Sequence, residues 1–360
     1  MALQRVDLRN ADPDHLARAA RLAAEAIAED RLVVLPTETV YGVAADPRRP
    51  SSVARLVGFK GRPDAQPFTH HVAEIADAER LAAPLSAPAR RLAARYWPGP
   101  LTLVVAARDG GDVGIRLPAH DFARRVIAEV GSSLYLTSVN RSGEAPLVTP
   151  DAIAAGFRDQ LDMLCDAGPP PLKLSSTVVR LGRGSIEVLR EGILTRDEVL
   201  AVAATTVLFV CTGNTCRSPL AEVLARRLAA EHLGVEPHAV AERGLRFVSA
   251  GLAAAFGAPA SEGATLVAAE VSCNLDGHVA QPLSREQVQQ ASRVYCMTDA
   301  HAARVRALAP EAADRVTTLR PDGGDVADPF GGSTAQYRST REEIAHALAA
   351  RWEEIADLDR

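Results

Sequence analysis

The sequence predicts two α/β domains in tandem, the second a doubly wound, four-stranded parallel sheet. Strand-like and helical stretches alternate throughout, and near residue 200 a strand–loop–helix grammar starts afresh. A length of 360 residues allows two or three domains at about 150 residues each. With 47% hydrophobic and 24% charged residues each can bury a core, which excludes disordered, collagenous and disulfide-scaffold chains.

In the first half, residues 14–29 are Ala-rich with helical spacing, and LVVLP (32–36) is a short buried strand stopped by proline. A Ser-capped helix follows over 51–60, then strands at LTLVVAA (101–107) and LYLTSVN (134–140). STVVRL (176–181) and IEVLR (186–190) flank Gly-Arg-Gly as a hairpin. These strands are too scattered for one plain Rossmann repeat, so this half reads as another kind of α/β domain. In the second half TTVLFV (205–210) is a β-branched buried strand, CTGNTCRS (211–218) a tight polar loop, and 219–233 a helix with proline in its first turn. Further strands are expected at 246–249, 293–296 and 315–318, and helices at 262–270, 299–308 and 334–356. The boundary falls at about 196–204, giving domains 10–198 and 205–360.

Charge limits the partners. The net charge of −5 lies in the second half: residues 1–200 carry 25 basic and 25 acidic side chains, residues 201–360 carry 15 and 20. Neither half is a polyanion-binding block. Five cysteines without paired spacing suit a reducing cytosol. The polar N-terminal stretch lacks the apolar segment of a signal peptide, and apolar runs such as Leu101–Ala107 are too short to span a membrane. A cytoplasmic protein is expected. Of 40 basic residues 38 are arginine, the mark of a GC-rich coding bias. Lys60 and Lys173 stand against it, and a compact ammonium is not interchangeable with a planar guanidinium.

The loop Cys211-Thr212-Gly213-Asn214-Thr215-Cys216-Arg217-Ser218 has the Cys-x5-Arg spacing between a strand and a helix. Inward-pointing amides and a helix N-terminus make such a loop a seat for a tetrahedral oxyanion. The same field suits Cys211 to act as a thiolate nucleophile, and Arg217 can clamp two phosphate oxygens. With VSAG (248–251) and Asp328-Pro-Phe, this half resembles the low-molecular-weight protein phosphatases over 205–356. The resemblance implies a cysteinyl-phosphate mechanism that needs no cofactor. In it Cys211 attacks phosphorus, Arg217 stabilises the transition state, Ser218 supports the thiolate, Asn214 holds the loop, and Asp328 serves as acid and then base. Asp325, outside the Asp-Pro motif, reads as a solvated loop charge. Thr215 stands where tyrosine-specific members carry Ile or Leu, and DPFGG where they carry two aromatics, which is similar to the protein-arginine phosphatase branch. The expected substrate is a phosphorylated protein, phosphoarginine before phosphotyrosine. Cys216 has two open readings, a reversible disulfide with Cys211 or a thiol packed against the helix.

The first half carries, in order, LPTETVYGVAADP (35–47), GFKGRP (58–63), YWPGPLTLVV (96–105), GIRLP (114–118), TSVNRSGEAP (137–146), SSTVV (175–179) and VLREG (188–192). A hydroxyl-rich turn at Thr37 and Thr39 follows a strand, Lys60 and Arg62 bring two cations to one loop, and Ser138 with Asn140 offers donors to phosphate or ribose oxygens. There is no Walker motif and no metal-ligand cluster. This ordered set resembles the YrdC-like threonylcarbamoyl-AMP synthases over about 15–198, which implies a twisted mixed sheet and a reaction of L-threonine, bicarbonate and ATP that releases pyrophosphate. The resemblance carries Lys60, Arg62, Ser138, Asn140 and Arg190 to the ATP site and Thr39, His71, Arg116 and Ser176 to the threonine pocket. Magnesium would arrive on the ATP phosphates. The adenylate would pass to tRNA threonylcarbamoyladenosine modification, with tRNA or the tRNA-modifying transferase as partner. Two features depart from the pattern: QPFTHHV (66–72) replaces a more hydrophobic run, and Val148 stands where Ser or Thr is common.

Rival readings exist for both halves. The first could be a tRNA-binding module without catalysis, against which its balanced charge argues. The second could be a phosphoprotein-binding domain, a tyrosine-specific phosphatase or an arsenate reductase. Cys211, Arg217 and Asp328 together disfavour the first of these, and the poor spacing of Cys273 and Cys296 the last.

Overall fold

A computed structural model describes residues 2–61, 67–141, 143–182 and 184–359. The chain divides into two compact units, Met1–Ala203 and Ala204–Arg360. Among the described residues the first unit holds ten strands: β1 (Gln4–Asp7), β2 (Val33–Leu35), β3 (Gly42–Ala45), β4 (His70–His71), β5 (Leu101–Ala106), β6 (Asp112–Arg116), β7 (Leu134–Ser138), β8 (Met163–Asp166), β9 (Thr177–Gly182) and β10 (Ser185–Arg190). They form one sheet in the order β1-β8-β2-β3-β7-β4-β6-β5-β9-β10. Pairing is mixed: β8 runs parallel to β1 and β2, β3 antiparallel to β2 and β7, and β4 antiparallel to β7 but parallel to β6.

Alternation along β2 explains the layering. Val33 and Leu35 face a cluster with Ala19, Ala23, Ile27, Phe122 and Val126 from the helices Pro13–Ala28 and Asp121–Val130. Val34 faces the opposite cluster, with Tyr41, Phe59, Ile153 and Phe157. A strand covered on both sides reads as a continuous apolar run, as 32–35 does. The Ala-rich helix starts where Asp12 accepts the His15 amide at 2.7 Å, with proline in its first turn.

In the second unit β11 (Thr205–Cys211), β12 (Leu245–Gly251), β13 (Arg293–Cys296) and β14 (Val316–Thr318) lie in the order β12-β11-β13-β14, all parallel. Every residue of β11 is buried. Val207, Phe209 and Cys211 face one core, Leu208 and Val210 the other. The order reverses direction beside β11, so a crevice opens at its carboxyl end, where Cys211 sits.

Several details differ from the sequence reading. Strands β1, β3, β4, β6 and β8 were not expected, and the first unit takes in β1 and the helix Arg196–Ala203, both reaching past 10–198. The expected helix 334–356 breaks at Arg351, which turns out of the helix with φ −95° and ψ −3° and donates to the carbonyls of Thr318 and Leu319. Among the described residues no helix is long and apolar enough to cross a membrane, and no group of three His, Cys, Asp or Glu is placed to hold a metal ion.

Candidate active sites

In the first unit a pocket of about 190 Å³ is lined by Thr37, His71, Arg116, Ser138, Ser176 and Arg190 among others. The parallel pairing of β4 with β6 sets His71 directly beside Arg116. Arg116 is buried and makes three bonds: Nη2 donates to Glu38 Oε1 at 2.6 Å and to Thr39 Oγ1 at 2.8 Å, and Nε to the Gly99 carbonyl at 3.2 Å. Glu38 Oε2 accepts the Ala119 amide at 3.1 Å. Thr39 is fully buried and reaches the site through Arg116, with the Thr37 hydroxyl 2.9 Å away.

Across the pocket, Arg190 donates to the carbonyl of Ser176 at 2.8 Å and to its hydroxyl at 3.3 Å, and that hydroxyl lies 3.0 Å from Thr102 Oγ1. The Thr177 hydroxyl anchors the wall by donating to the Leu194 carbonyl while accepting the amides of Gly192 and Leu194. Gly192 packs so tightly on Ser175 and Ser176 that a Cβ there would collide with their backbone.

Lys60 ends the helix Pro50–Lys60 and is buried at 1% exposure. Its Nζ donates to Asn140 Oδ1 at 2.7 Å, to the Asn140 carbonyl at 3.1 Å and to Ser138 Oγ at 3.3 Å. Asn140 Nδ2 in turn donates to the carbonyls of Arg141 and Glu144. Lys60, Ser138 and Asn140 thus form one cluster, and Thr39, His71 and Arg116 another. Arg62 lies outside the described residues.

Electrostatics sharpens this picture. Burial, helped by the Arg116 charge, pushes the His71 imidazole down to about 3, so the ring is neutral near pH 7. Its Nδ1 lies 3.3 Å from the Thr69 carbonyl, which can only accept, and the ring hydrogen therefore sits on Nδ1. Burial also lowers Arg116, opposed by the Glu38 carboxylate. Sequence reasoning passed over Glu38, the acid between the two threonines of LPTETV. Its value depends on a partner 78 positions away.

In the second unit the loop after β11 wraps around a buried thiol. Cys211 Sγ lies 3.0 Å from Ser218 Oγ and accepts the Asn214 amide at 3.2 Å. Asn214 is left-handed at φ 54° and fully buried. Its Nδ2 donates to Ser218 Oγ at 3.0 Å and Ser249 Oγ at 2.9 Å, while its Oδ1 accepts the Gln281 amide and its carbonyl bonds His278 Nε2 at 2.7 Å. The Ser249 hydroxyl continues to Glu222 at 2.7 Å. Among the described residues the amides of Thr212, Gly213, Thr215 and Cys216 have no acceptor, which is the arrangement of an anion nest.

Arg217 begins the helix Arg217–Leu233 and is 5% exposed. Its Nη2 donates to Asp328 Oδ2 at 2.6 Å and its Nη1 to the Val326 carbonyl at 3.2 Å. The candidate clamp and the candidate acid are thereby brought together at the start of the helix that follows the Cys211 loop. Thr215 lies at the loop surface, its hydroxyl 3.6 Å from Cys216 Sγ.

One sequence reading changes. Asp325 is exposed, yet its Oδ1 accepts the Asp299 amide at 2.8 Å and so holds the start of the helix Asp299–Leu308, because the loop before Asp328 runs past that helix end. Cys216 is a free thiol in the structure, its Sγ donating to Ser261 Oγ at 3.2 Å and lying 3.5 Å from Tyr337 OH. Glu222, His278, Gln281, His301 and Tyr337 went unnoticed in the sequence, and Ser249 entered only as part of VSAG, because they reach the loop from separate elements.

One unit thus holds a polar pocket lined by His71, Arg116 and Ser176 beside a buried lysine cluster, and the other a loop folded around a buried thiol. A family model described as Telomere recombination, covering the Sua5, YciO and YrdC proteins, matches residues 25–192. One described as Low molecular weight phosphotyrosine protein phosphatase matches residues 206–358. The threonylcarbamoyl-AMP synthase of Pyrococcus abyssi is 35% identical over 188 residues, 50% of this chain and 55% of that protein. The chain thus spans about half the length of the first curated relatives it matches. A putative threonylcarbamoyl-AMP synthase of Mycobacterium tuberculosis is 34% identical over 209 residues, 55% of this chain and 96% of that protein. The protein-arginine-phosphatase of Geobacillus stearothermophilus is 37% identical over 142 residues, 38% of this chain and 87% of that protein. Among solved structures, a variant of Pyrococcus abyssi Sua5 superposes with a TM-score of 0.51 at 27% identity, covering 64% of this chain and 75% of its own. The chain belongs to the Sua5/YciO/YrdC family in its first half and to the low-molecular-weight protein phosphatase family in its second.

Proposed function

We propose that the chain is a bifunctional enzyme of the cytoplasm, a threonylcarbamoyl-AMP synthase joined to a protein phosphatase. The observation that supports the first activity is the adjacency of an amino-acid pocket, built on His71, Arg116 and Ser176, to the Lys60–Asn140–Ser138 cluster through Ser138, which belongs to both. Nη1 of Arg116, the arm not spent on Glu38, Thr39 or Gly99, takes the threonine carboxylate. The bare Nε2 of His71 accepts a hydrogen from the threonine hydroxyl or amine. The amine adds to bicarbonate with loss of water, and the new carboxylate attacks the α-phosphorus of ATP while pyrophosphate leaves. Lys60 and Arg190 hold the phosphate charge, and magnesium enters on the ATP. Catalysis here is positioning and charge stabilisation, and the adenylate then serves tRNA modification.

In the second unit Cys211 Sγ attacks phosphorus, the P–N or P–O bond to the leaving group breaks, and Asp328 supplies the proton. Asp328 then takes a proton from water as that water attacks the cysteinyl phosphate, and inorganic phosphate leaves with the thiolate restored. We favour phosphoarginine because the Thr215 hydroxyl can accept from a guanidinium, and Gly331 and Gly332 remove the wall on which a phenol would stack. The similarity to a protein-arginine-phosphatase supports the same choice.

The test measures pyrophosphate release that requires both threonine and bicarbonate, alongside hydrolysis of phosphoarginine and phosphotyrosine. Thr215→Ile is expected to swing the preference toward phosphotyrosine by about tenfold or more, the worth of a hydrogen bond to a charged group. An unchanged preference sinks the phosphoarginine reading. A wild type silent in both assays sinks the whole assignment.

A further inference from the structure

Nothing in the phosphatase reading uses His301, yet it reaches the oxyanion loop. The helix Asp299–Leu308 opens on Thr298, whose Oγ1 accepts the His301 backbone N–H at 3.1 Å and lies 2.9 Å from His301 Nδ1. The other ring nitrogen, Nε2, is 2.9 Å from the hydroxyl of Thr212, the residue directly after Cys211. His301 is 8% exposed, and Arg217, Arg304, Asp325 and Asp328 act on it from around the site. Burial and the Arg217 charge lower its pKa, so the ring is neutral near pH 7 and carries a single hydrogen.

A hydroxyl oxygen can accept twice, so the contacts of Thr298 fit either tautomer of His301. With the Thr298 hydrogen on the Nδ1 lone pair, the ring hydrogen sits on Nε2 and is donated to Thr212 Oγ1, which leaves the Thr212 hydrogen for an acceptor bound in the loop. We propose that His301 holds this tautomer and is a positioning residue that fixes the Thr212 hydroxyl as a donor to a tetrahedral oxyanion held over Cys211. The proposal rests on reading the loop as an oxyanion site and does not depend on hydrolysis.

Tungstate binding to the full chain, followed by calorimetry, tests it. Thr212→Val is expected to weaken tungstate about five- to tenfold, while Thr212→Ser, which keeps the hydroxyl, binds within about twofold of wild type. His301→Phe is expected to cost several-fold, His301→Gln to recover most of that through its amide N–H, and Thr212→Val with His301→Phe to cost no more than Thr212→Val alone. Additive losses in the double variant, or Thr212→Val binding like wild type, overturn the proposal. Should His301→Phe fail to fold, the Val and Ser variants at Thr212 decide with His301 intact. Coupled tungstate binding in a chain that hydrolyses neither phosphoarginine nor phosphotyrosine overturns the phosphatase reading and leaves this inference standing. Hydrolysis with additive losses does the reverse, and no tungstate binding by wild type defeats both.

Discussion

A buried ammonium is costly unless its hydrogens meet oxygens, and Lys60 meets Asn140 Oδ1, the Asn140 carbonyl and Ser138 Oγ. These three oxygens are neutral, and together they hold the ammonium in place. A guanidinium is planar and larger, and cannot aim its fork at the same three acceptors. Lys60→Arg is therefore expected to lower pyrophosphate release at least about 100-fold and to cost about 1–3 kcal/mol by overpacking, read from the release assay and urea unfolding. His71 carries a pH prediction. Its folded value, about 3, lies below the unfolded value near 6.5, so the unfolded state takes up the proton first. Its contribution to stability is complete above about pH 6.5 and is lost as the pH falls toward the folded value, at up to about 1.4 kcal/mol per pH unit. Urea midpoints from pH 7 to 5 should fall more steeply for wild type than for His71→Gln, and parallel slopes would contradict it. Lys60 was legible in the sequence because it resists a bias that turned 38 other basic positions into arginine. Glu38 and His301 were not, since their meaning lies in partners supplied by the fold.

Elements were legible where one apolar period runs long enough. β11 is buried throughout and stands out as TTVLFV, and the hairpin β9–β10 as two β-branched runs about a Gly-x-Gly turn. The strands that escaped are short or atypical. β4 is the dipeptide His70–His71, β3 is GVAA, and β1 is a mostly exposed edge reading QRVD. Sheet order escaped with them, because β4 acquires its pairing only from β6 and β7 on either side. That two-residue strand sets His71 against Arg116, so the pocket could be listed residue by residue from the resemblance but not assembled. In the second unit the ends of β11 and β12 meet at Gly251, where a Cβ would stand 2.6 Å from the Thr212 carbonyl oxygen and 2.8 Å from the Asn214 nitrogen. Both atoms belong to the loop backbone, so the loop itself must move. Gly251→Ala is expected to lower phosphatase kcat/KM about 100-fold, the effect of a misplacement near 1 Å, with threonine-dependent pyrophosphate release unchanged. A phosphatase rate within a few-fold of wild type would show that the loop tolerates the methyl group.

For the whole molecule, the sites draw on separate cores and separate chemistry. In the proposed function the first relies on fixed charges, Lys60, Arg116 and Arg190, beside a neutral imidazole, and forms an adenylate without a covalent enzyme intermediate. The second, as proposed, relies on a thiol that becomes covalently bonded to phosphorus. The net charge of −5 gives no general attraction for phosphorylated substrates, so each site must supply its own local cations. Removing one set should leave the other chemistry intact. Lys60→Ala is expected to abolish pyrophosphate release while phosphoarginine hydrolysis stays within about twofold of wild type. Cys211→Ser is expected to do the opposite, because a serine hydroxyl in the same loop is a far weaker nucleophile than a thiolate. Loss of both activities in either variant would mean that the reactions share a group or a folding dependence that the two-site assignment does not contain.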